Sequence, residues 1–161
     1  MSNYITSNFS NLIFSCSVPS QWHMEHRVPD HCVVFVRQGK LLISDKGRTE
    51  EIPAGSCVFL KKDCSVRLVK ASFAGKNYEG LNIRLPQNIL EDYFQRHLKN
   101  NEFPQDFTGL SNCFMRLNRT LCLQGLLSSI ILFVEEGQDP GQEMTELKVC
   151  LLYTSDAADD L

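Results

Sequence analysis

The segment from Cys32 to Leu68 constrains the fold most strongly, because short apolar runs recur in it at nearly even spacing. A turn signal closes each run, in the order Gln38-Gly39, Asp45-Lys46-Gly47, Pro53-Ala54-Gly55 and Lys61-Lys62-Asp63. Five β-rich segments in so short a stretch leave no room for helices. The pattern therefore predicts a small antiparallel barrel or a two-sheet sandwich, in which short strands avoid exposed edges.

The flanking residues extend this β region on both sides. Phe9 to Cys16 is predicted as the first strand, and the polar, histidine-rich segment Gln21 to Asp30 as a loop or sheet edge. The run from Ala71 to Lys76 contains Gly75 and predicts a turn. Tyr78 to Leu85 alternates apolar and polar residues and predicts the last strand of the β region.

A helical period follows. Pro86 suits a first helical turn, and the apolar residues between Ile89 and Leu98 recur at helical spacing. After a loop that includes Phe103 to Gly109 and a short apolar piece from Cys113 to Leu117, Asn118 is predicted to cap a second helix that ends near Glu136. A third helix is predicted to begin near Gln142.

The second predicted helix is apolar on nearly every side, so more than one surface must cover it. The barrel can cover one face, and we predict that a second copy of the chain covers another. The predicted dimer interface consists of Leu123, Leu126, Leu127, Ile130, Ile131, Phe133 and Val134.

Seven cysteines are scattered among apolar neighbours, without a CxxC motif. This distribution is typical of buried free thiols in a reducing compartment and does not indicate a disulfide framework. No run of eighteen apolar residues is present, and the first residues lack the features of a secretory signal. One domain in the cytoplasm, without membrane association, is therefore predicted.

The last residues are set apart from the fold prediction. Residues 150–161 resemble one reading frame of the transposon-end adapter used in preparing sequencing libraries, so they are expected to be an artefact. The biological sequence is then expected to be cut near Val149, within the third helix.

Several motifs in this order resemble the N-terminal regulatory domain of AraC-type bacterial transcription regulators. They are Gly39-Lys40-Leu41 followed by Gly47, Ile52-Pro53-Ala54-Gly55 leading to Val58-Phe59-Leu60, Ile83-Arg84-Leu85-Pro86, and the helix Ile89 to Leu98. Within that family the sequence is most similar to the branch of the type III secretion activator, over roughly residues 10 to 149.

The resemblance implies a mainly β fold with C-terminal helices, namely a cupin-like barrel over residues 1–85 and a helical capping and dimerisation segment over residues 86–149. It also implies a C-terminal domain with two helix-turn-helix units that binds promoter DNA. This sequence holds no such domain. Without residues 150–161, which contain three acidic residues and no basic one, 16 acidic residues balance 16 basic ones. Because the basic residues are also dispersed, no DNA binding by the chain itself is predicted.

Catalytic and metal sites are not predicted, and neither is a cofactor. Cupin barrels often bind a metal through an HxH motif, which is absent here, and Val58 follows the Pro-x-Gly turn where a histidine would be needed. The remaining candidates are His23, His26 and His31 with Glu25, and they are more consistent with an exposed polar loop than with a zinc site. His97 is interpreted as a residue at the edge of the core. The alternative hypothesis is a stand-alone cupin-type small-molecule binder or metal-dependent enzyme.

An effector is the last open question. The inward positions are mostly Val, Leu, Phe and Cys, which predicts a filled barrel, although Trp22 could cover a pocket. The resemblance implies a partner protein as the regulatory signal more than a small effector on the barrel.

Overall fold

A computed structural model describes residues 5–19, 21–97, 113–118 and 120–159. Two antiparallel sheets face each other in a cupin-like barrel, and helices cover the outer face of one sheet. The elements within these ranges are β1 (Ile5–Phe9), β2 (Ile13–Val18), β3 (Trp22–Arg27), β4 (His31–Gln38), β5 (Lys40–Asp45), β6 (Arg48–Pro53), β7 (Cys57–Leu60), β8 (Ser65–Ala71), β9 (Tyr78–Leu85), α1 (Gln87–His97), β10 (Phe114–Leu117), α2 (Leu121–Glu136) and α3 (Gln142–Asp159).

The turns that were predicted between Cys32 and Leu68 are confirmed, and their backbones explain why those residues occupy them. Gly39, Gly47 and Gly55 all have positive φ angles, as do Lys46 and Asp63. Lys46 and Gly47 are the two central residues of a tight hairpin, a position that requires left-handed backbone at both. The same holds for the turn between β8 and β9, where φ is positive at Ala74 and Gly75.

One sheet has six strands in the order β1-β2-β9-β4-β7-β10, and the other has four in the order β3-β8-β5-β6. Each strand pairs antiparallel with its neighbours. The segment Gln21 to Asp30 was predicted to be a loop or a sheet edge. It contributes β3, which is an edge strand. The predicted alternation of β9 is also confirmed, since Leu81, Ile83 and Leu85 are all buried on one face.

The first predicted strand is divided in two. A turn at Ser10 and Asn11, both with positive φ, separates β1 from β2, and the two strands then pair with each other. The Asn8 side chain accepts a hydrogen bond from the backbone N–H of Asn11, at 2.9 Å. Asparagine and serine tolerate left-handed backbone, so this polar turn interrupts a run that looks continuous by hydrophobicity.

The second helix begins later than predicted. Thr120, not Asn118, is the N-cap residue, and its Oγ1 accepts a hydrogen bond from the N–H of Leu123 at 3.1 Å. Gly137 ends the helix in left-handed conformation, so the predicted C-terminal boundary is confirmed. The predicted loop over residues 103–109 lies outside the described residues, and so does Leu98.

The six-stranded sheet is buried on both faces and separates two apolar cores. One core fills part of the barrel interior, and it includes Leu41, Ile43, Val58 and Tyr78. The other lies between the sheet and the helices, where Leu123, Leu127 and Ile130 of α2 pack with residues such as Phe35 and Ile83. The helices are thus continuous with the barrel through a shared core.

The barrel and the segment that follows it do not separate at residue 85 as expected. β10 belongs to the segment that was expected to be helical, yet it pairs with β7 and forms an edge of the six-stranded sheet. Arg37 at the end of β4 donates a hydrogen bond to Glu135 of α2, with 2.8 Å between Nη2 and Oε1. Barrel and helices are therefore joined at several points.

The structure joins Cys64 and Cys113 in a disulfide, so the prediction of free thiols is wrong for this pair. Forty-nine positions separate them along the chain. They meet because Cys64 follows the turn after β7, whereas Cys113 directly precedes β10, the strand that pairs with β7. The other cysteines, Cys16, Cys32, Cys57, Cys122 and Cys150, are not disulfide-bonded.

The third helix continues to Asp159, past the expected cut near Val149. Cys150 and Leu152 are buried in the core beneath the helices, so at least this part of residues 150–161 packs as an integral part of the fold. The adapter origin of the tail remains a prediction. None of the helices in the described ranges has the length and apolar character that crossing a membrane requires.

Candidate ligand cavity

A cavity of about 270 Å³ opens in the barrel between the two sheets. The prediction of a filled interior is therefore wrong. The residues that line it are mostly apolar, with four polar or charged exceptions: Ile5, Phe14, Cys16, Trp22, Met24, Val28, Pro29, Asp30, Cys32, Val34, Leu60, Leu68, Lys70, Asn82 and Arg84.

The alternation of β9 explains the polar side chains in this interior. Because Leu81, Ile83 and Leu85 face the helices, Asn82 and Arg84 face the barrel. Asn82 pairs across the sheet with Phe14 and Val34, which also line the cavity. The polar face of a strand, which sequence reasoning would assign to solvent, is here an inner wall.

Lys70 is the most deeply buried charged residue on this wall, with only 4% of its surface exposed. Its Nζ lies 3.5 Å from the Cys16 sulfur, 5.2 Å from the centre of the Trp22 ring and 5.6 Å from that of Tyr78. These contacts give the ammonium cation–π stabilisation. Among the residues that the structure describes, no carboxylate lies within ion-pair distance of it.

Arg84 is the second cation of the cavity, and it is already neutralised. Its Nη2 lies 2.5 Å from a carboxylate oxygen of Asp30, and its Nη1 donates a hydrogen bond to the backbone oxygen of Asn11. Both side chains of the pair are partly exposed, at 38% for Arg84 and 21% for Asp30. The buried Oδ1 of Asn82 and Nε of Arg84 have no hydrogen-bond partner.

The Cys32 thiol lines the same cavity. Burial raises its pKa to about 12, the charge of Asp30 adds to the increase, and Arg84 and Lys70 oppose it. The thiol is therefore protonated at neutral pH and is a poor nucleophile.

The predicted metal candidates are not brought together. His23 and Glu25 are exposed on β3, whereas His31 is buried, accepts a hydrogen bond from the N–H of Lys62 at Nδ1 and stacks on Phe59. The side chains of His26 and His97 lie outside the described residues. In the described parts of the chain, no group of three or more His, Cys, Asp or Glu side chains is placed to hold a metal ion.

The predicted dimer residues divide into two groups. Leu123, Leu127 and Ile130 are buried within their own chain, at 1%, 4% and 1% exposure, so the structure assigns them to the intrachain core. Leu126, Ile131, Phe133 and Val134 are partly buried and pack against that core. The apolar side chains that α2 leaves most exposed are instead Leu121 and Leu132.

Sequence reasoning missed Lys70, although a signal for it exists. Val66, Leu68 and Lys70 alternate along β8 and point to the same face, so a lysine continues an inward apolar series. Trp22 pairs directly with Lys70 across the strands and lines the cavity. The two side chains become recognisable as a pair only through that register.

Comparison with known proteins agrees with this architecture. The sequence profile described as the ExsA N-terminal regulatory domain matches residues 31–153, which is more than half of the chain. No curated protein sequence matches the chain significantly.

Three similar solved structures are of ToxT from Vibrio cholerae. Apo ToxT K231A from strain SCE256 has a TM-score of 0.64 at 12% identity, covering 96% of this chain and 58% of that one. Wild-type ToxT from the same strain, solved with an unsaturated fatty acid bound, has a TM-score of 0.57 at 13% identity, covering 89% of this chain and 51% of that one. ToxT from strain O395 has a TM-score of 0.55 at 15% identity, covering 93% of this chain and 54% of that one. This chain thus spans little more than half the length of each.

The ToxT structures share the fold described above, a cupin-like barrel with a helical extension on one sheet. The chain belongs to the ExsA N-terminal regulatory domain family, that of the type III secretion activator, and its function is that of the regulatory domain of a transcription regulator.

Proposed function

We propose that this domain forms a homodimer through the outer faces of α2 and α3 and that its barrel receives the regulatory signal. The observation that carries the dimer is an apolar surface on these two helices. The exposed large apolar side chains there are Leu121, Leu132, Met144, Leu147 and Leu151, at 87%, 57%, 41%, 40% and 38% exposure.

The geometry of this surface suits a second copy of the same helices. On α2, Leu121, Gly125, Ser128 and Leu132 are exposed and recur at helical spacing, with the small residues between the leucines. No other group lies within 4 Å of the place where a Cβ would stand on Gly125, so a partner backbone has room to approach. A two-fold axis would bring this apolar surface of each chain against its equivalent.

Sedimentation velocity of a variant carrying Leu132→Asp and Leu147→Asp tests the interface. We expect the wild-type chain to sediment as a dimer and the variant as a monomer with an unchanged circular dichroism spectrum, because both changes lie on exposed positions. Phe73→Asp is the matched control, since Phe73 is also apolar and 57% exposed but lies in the turn after β8. A monomeric wild type, or a variant that remains dimeric, contradicts the proposed interface.

Ile130→Asp separates the core from the interface. Because Ile130 is buried in its own chain, we expect this change to lower the free energy of unfolding by about 3 kcal/mol or more. The variant should therefore lose the packing of its helices and should not appear as a folded monomer. A folded, monomeric Ile130→Asp variant would show instead that Ile130 belongs to the dimer interface.

Regulation then follows from the arrangement of two chains. In the proposal, a small effector in the cavity or a regulatory protein on the barrel changes the packing between the six-stranded sheet and the helices, and hence the dimer. Promoter DNA would be contacted only by a separate helix-turn-helix domain, in the cytoplasm. We propose no enzymatic activity, which is supported by membership in a family of regulatory domains.

A further inference from the structure

We propose that Cys64 and Cys113 are a reversible redox pair, whose disulfide holds β10 and the start of α2 against the barrel and whose reduction allows both to open. The consequence for the dimer rests on the proposed function. The redox reaction and the opening of β10 are properties of the chain itself and are measured separately.

The first argument is the compartment in which such a domain acts. The chain belongs to a family of regulatory domains of transcription regulators, and a transcription regulator acts where the DNA is. Thiols are kept reduced there, and a disulfide that forms in such a compartment is usually transient and redox-sensing. Cys64 and Cys113 are both partly exposed, so a small thiol can reach the bond between them.

The second argument is that the fold brings the two cysteines together without the covalent bond. The backbone N–H of Lys61 donates a hydrogen bond to the backbone oxygen of Cys113 at 2.8 Å. The turn that carries Cys64 is fixed as well, because its backbone oxygen accepts a hydrogen bond from the N–H of Val28 at 2.9 Å. Two thiols held side by side have a high effective concentration, so the disulfide can form again after reduction.

The third argument is the position of β10 between the two cores. Phe114 belongs to the barrel core, whereas Leu117, at the other end of the strand, is buried in the core beneath the helices. Residues 118–120 alone separate Leu117 from α2, whose Leu123 lies in the same core. A bond at Cys113 therefore also restrains the first turn of the helix that carries the proposed interface.

The fourth argument is that β10 depends on the disulfide for its attachment. Besides the burial of Phe114 and Leu117, the described contacts that hold it are a pairing with β7 over four residues and two side-chain contacts. Arg116 donates a hydrogen bond from Nη2 to Oγ of Ser56, at 2.9 Å. The guanidinium of Arg48, on the edge strand of the other sheet, lies 4.8 Å from the centre of the Phe114 ring. A short edge strand with exposed contacts of this kind opens locally at low cost.

The reaction is thiol–disulfide exchange with a small thiol such as glutathione. One glutathione thiolate attacks a sulfur of the pair, the bond between Cys64 and Cys113 breaks, and a mixed disulfide and one cysteine thiolate form. A second glutathione thiolate attacks the glutathione sulfur of the mixed disulfide and releases the other cysteine. The pair gains two electrons and two protons, and two glutathione thiols become one glutathione disulfide.

Incubation of the full chain in glutathione buffers tests the redox pair. The buffers range from a large excess of the thiol to a large excess of glutathione disulfide, and alkylation followed by mass spectrometry gives the oxidised fraction of Cys64 and Cys113. We expect this fraction to rise from mostly dithiol to mostly disulfide and to be the same from either starting state. A pair that stays bonded in excess thiol, or stays reduced in excess glutathione disulfide, overturns the inference.

Amide hydrogen exchange at low urea concentrations tests the opening of β10. Urea separates the two routes of exchange, because global unfolding exposes far more surface than a local opening does. In the reduced chain we expect β10 and the amides of Leu123 and Gln124, which Thr120 holds, to exchange at least about tenfold faster than β9 and with little dependence on urea. In the disulfide form they should follow the urea dependence of β9. The same urea dependence of β10 in both redox states overturns the inference.

Two variants assign the response to this pair. Cys64→Ser combined with Cys113→Ser should show the exchange pattern of the reduced chain in every glutathione buffer. Cys122→Ser is the matched control, since it removes an exposed thiol outside the pair and should retain the full response. A Cys122→Ser variant that no longer responds would assign the redox effect to Cys122 and overturn the inference.

Sedimentation in the two redox states tests the consequence for the dimer. Because the disulfide restrains the first turn of α2, we expect the dimer to dissociate at a protein concentration at least about tenfold higher in the disulfide form than in the reduced form. Equal dissociation in the two states contradicts the regulatory role of the pair. A chain that is monomeric in both states contradicts the proposed interface instead, and the glutathione and exchange measurements still decide whether Cys64 and Cys113 form the switch.

Discussion

Gly39 illustrates how much one position in the barrel depends on its surroundings. A Cβ at this residue would lie 2.5 Å from the backbone oxygen of Ala71 and 2.8 Å from the Cα of Tyr78. Its φ angle of +75° is also one that other residues avoid. Gly47 has a similar φ angle, +82°, but nothing lies within 4 Å of the corresponding position. A comparison of the two glycines therefore distinguishes the cost of backbone strain from the cost of steric contact.

We predict that Gly39→Ala lowers the free energy of unfolding by at least about 3 kcal/mol, because strain and collision with rigid backbone add together. Gly47→Ala should lower it by only about 1 kcal/mol, the cost of left-handed backbone alone. Urea denaturation followed by circular dichroism measures both values. Equal losses in the two variants would show that the close approach at Gly39 has no energetic consequence.

At the scale of elements, the disulfide between Cys64 and Cys113 joins the turn after β7 to the start of β10. Among the strands that the structure describes, β10 pairs with β7 alone and lies at the sheet edge, so it has fewer ladder hydrogen bonds than a central strand. A covalent link at Cys113, the residue directly before β10, limits how far this edge can separate from the barrel. The link also restricts the unfolded chain, which is the usual source of disulfide stabilisation.

We predict that reduction of this disulfide lowers the free energy of unfolding by about 2–4 kcal/mol. A double variant, Cys64→Ser with Cys113→Ser, should have the stability of the reduced wild type and should no longer respond to dithiothreitol. Cys122→Ser is the control, because Cys122 is a free, exposed thiol, and it should remain sensitive to the reductant. Mass spectrometry that finds both thiols free after purification in air would contradict the pairing.

The two faces of the second helix, α2, have different surroundings. Its inner face packs Leu123, Leu127 and Ile130 on the barrel sheet, and its outer face leaves Leu121 and Leu132 exposed. The all-round apolar composition of α2 thus has two separate causes, an intrachain core and a surface that we propose meets a second copy.

Across the whole molecule, the central sheet connects the cavity to the helices. Asn82 and Arg84 line the cavity from one face of β9, and Leu81, Ile83 and Leu85 contact the helical core from the other. A ligand that moves β9 would therefore move the surface on which α2 packs. Proteins commonly couple two sites through one shared rigid element of this kind.

We predict that the chain by itself does not bind promoter DNA. Its 16 basic and 19 acidic residues give a net charge of −3, so it has little capacity to displace phosphate counterions. Fluorescence anisotropy with a labelled duplex at about 150 mM salt should show no saturable binding at protein concentrations of about 1–10 µM. Sequence-selective binding that persists at that salt concentration would contradict the prediction.

The sequence determined most of the β region, because local chemistry specifies it. Turn residues with left-handed backbone, such as Lys46 and Gly47, set the hairpins, and a period of two sets the faces of β9. The boundary of α2 and the break at Ser10-Asn11 were less predictable, since several polar residues nearby can cap or turn a chain.

The cavity, the disulfide and the division of α2 into two faces were decided only by tertiary structure. Lys70 and Trp22 are far apart in sequence and meet through the pairing of β3 with β8, and Cys64 and Cys113 meet through the pairing of β7 with β10. Residue types and spacing indicate which face of a strand is apolar. They do not specify which strands become neighbours, because that depends on how the whole chain closes into a barrel and buries both faces of one sheet.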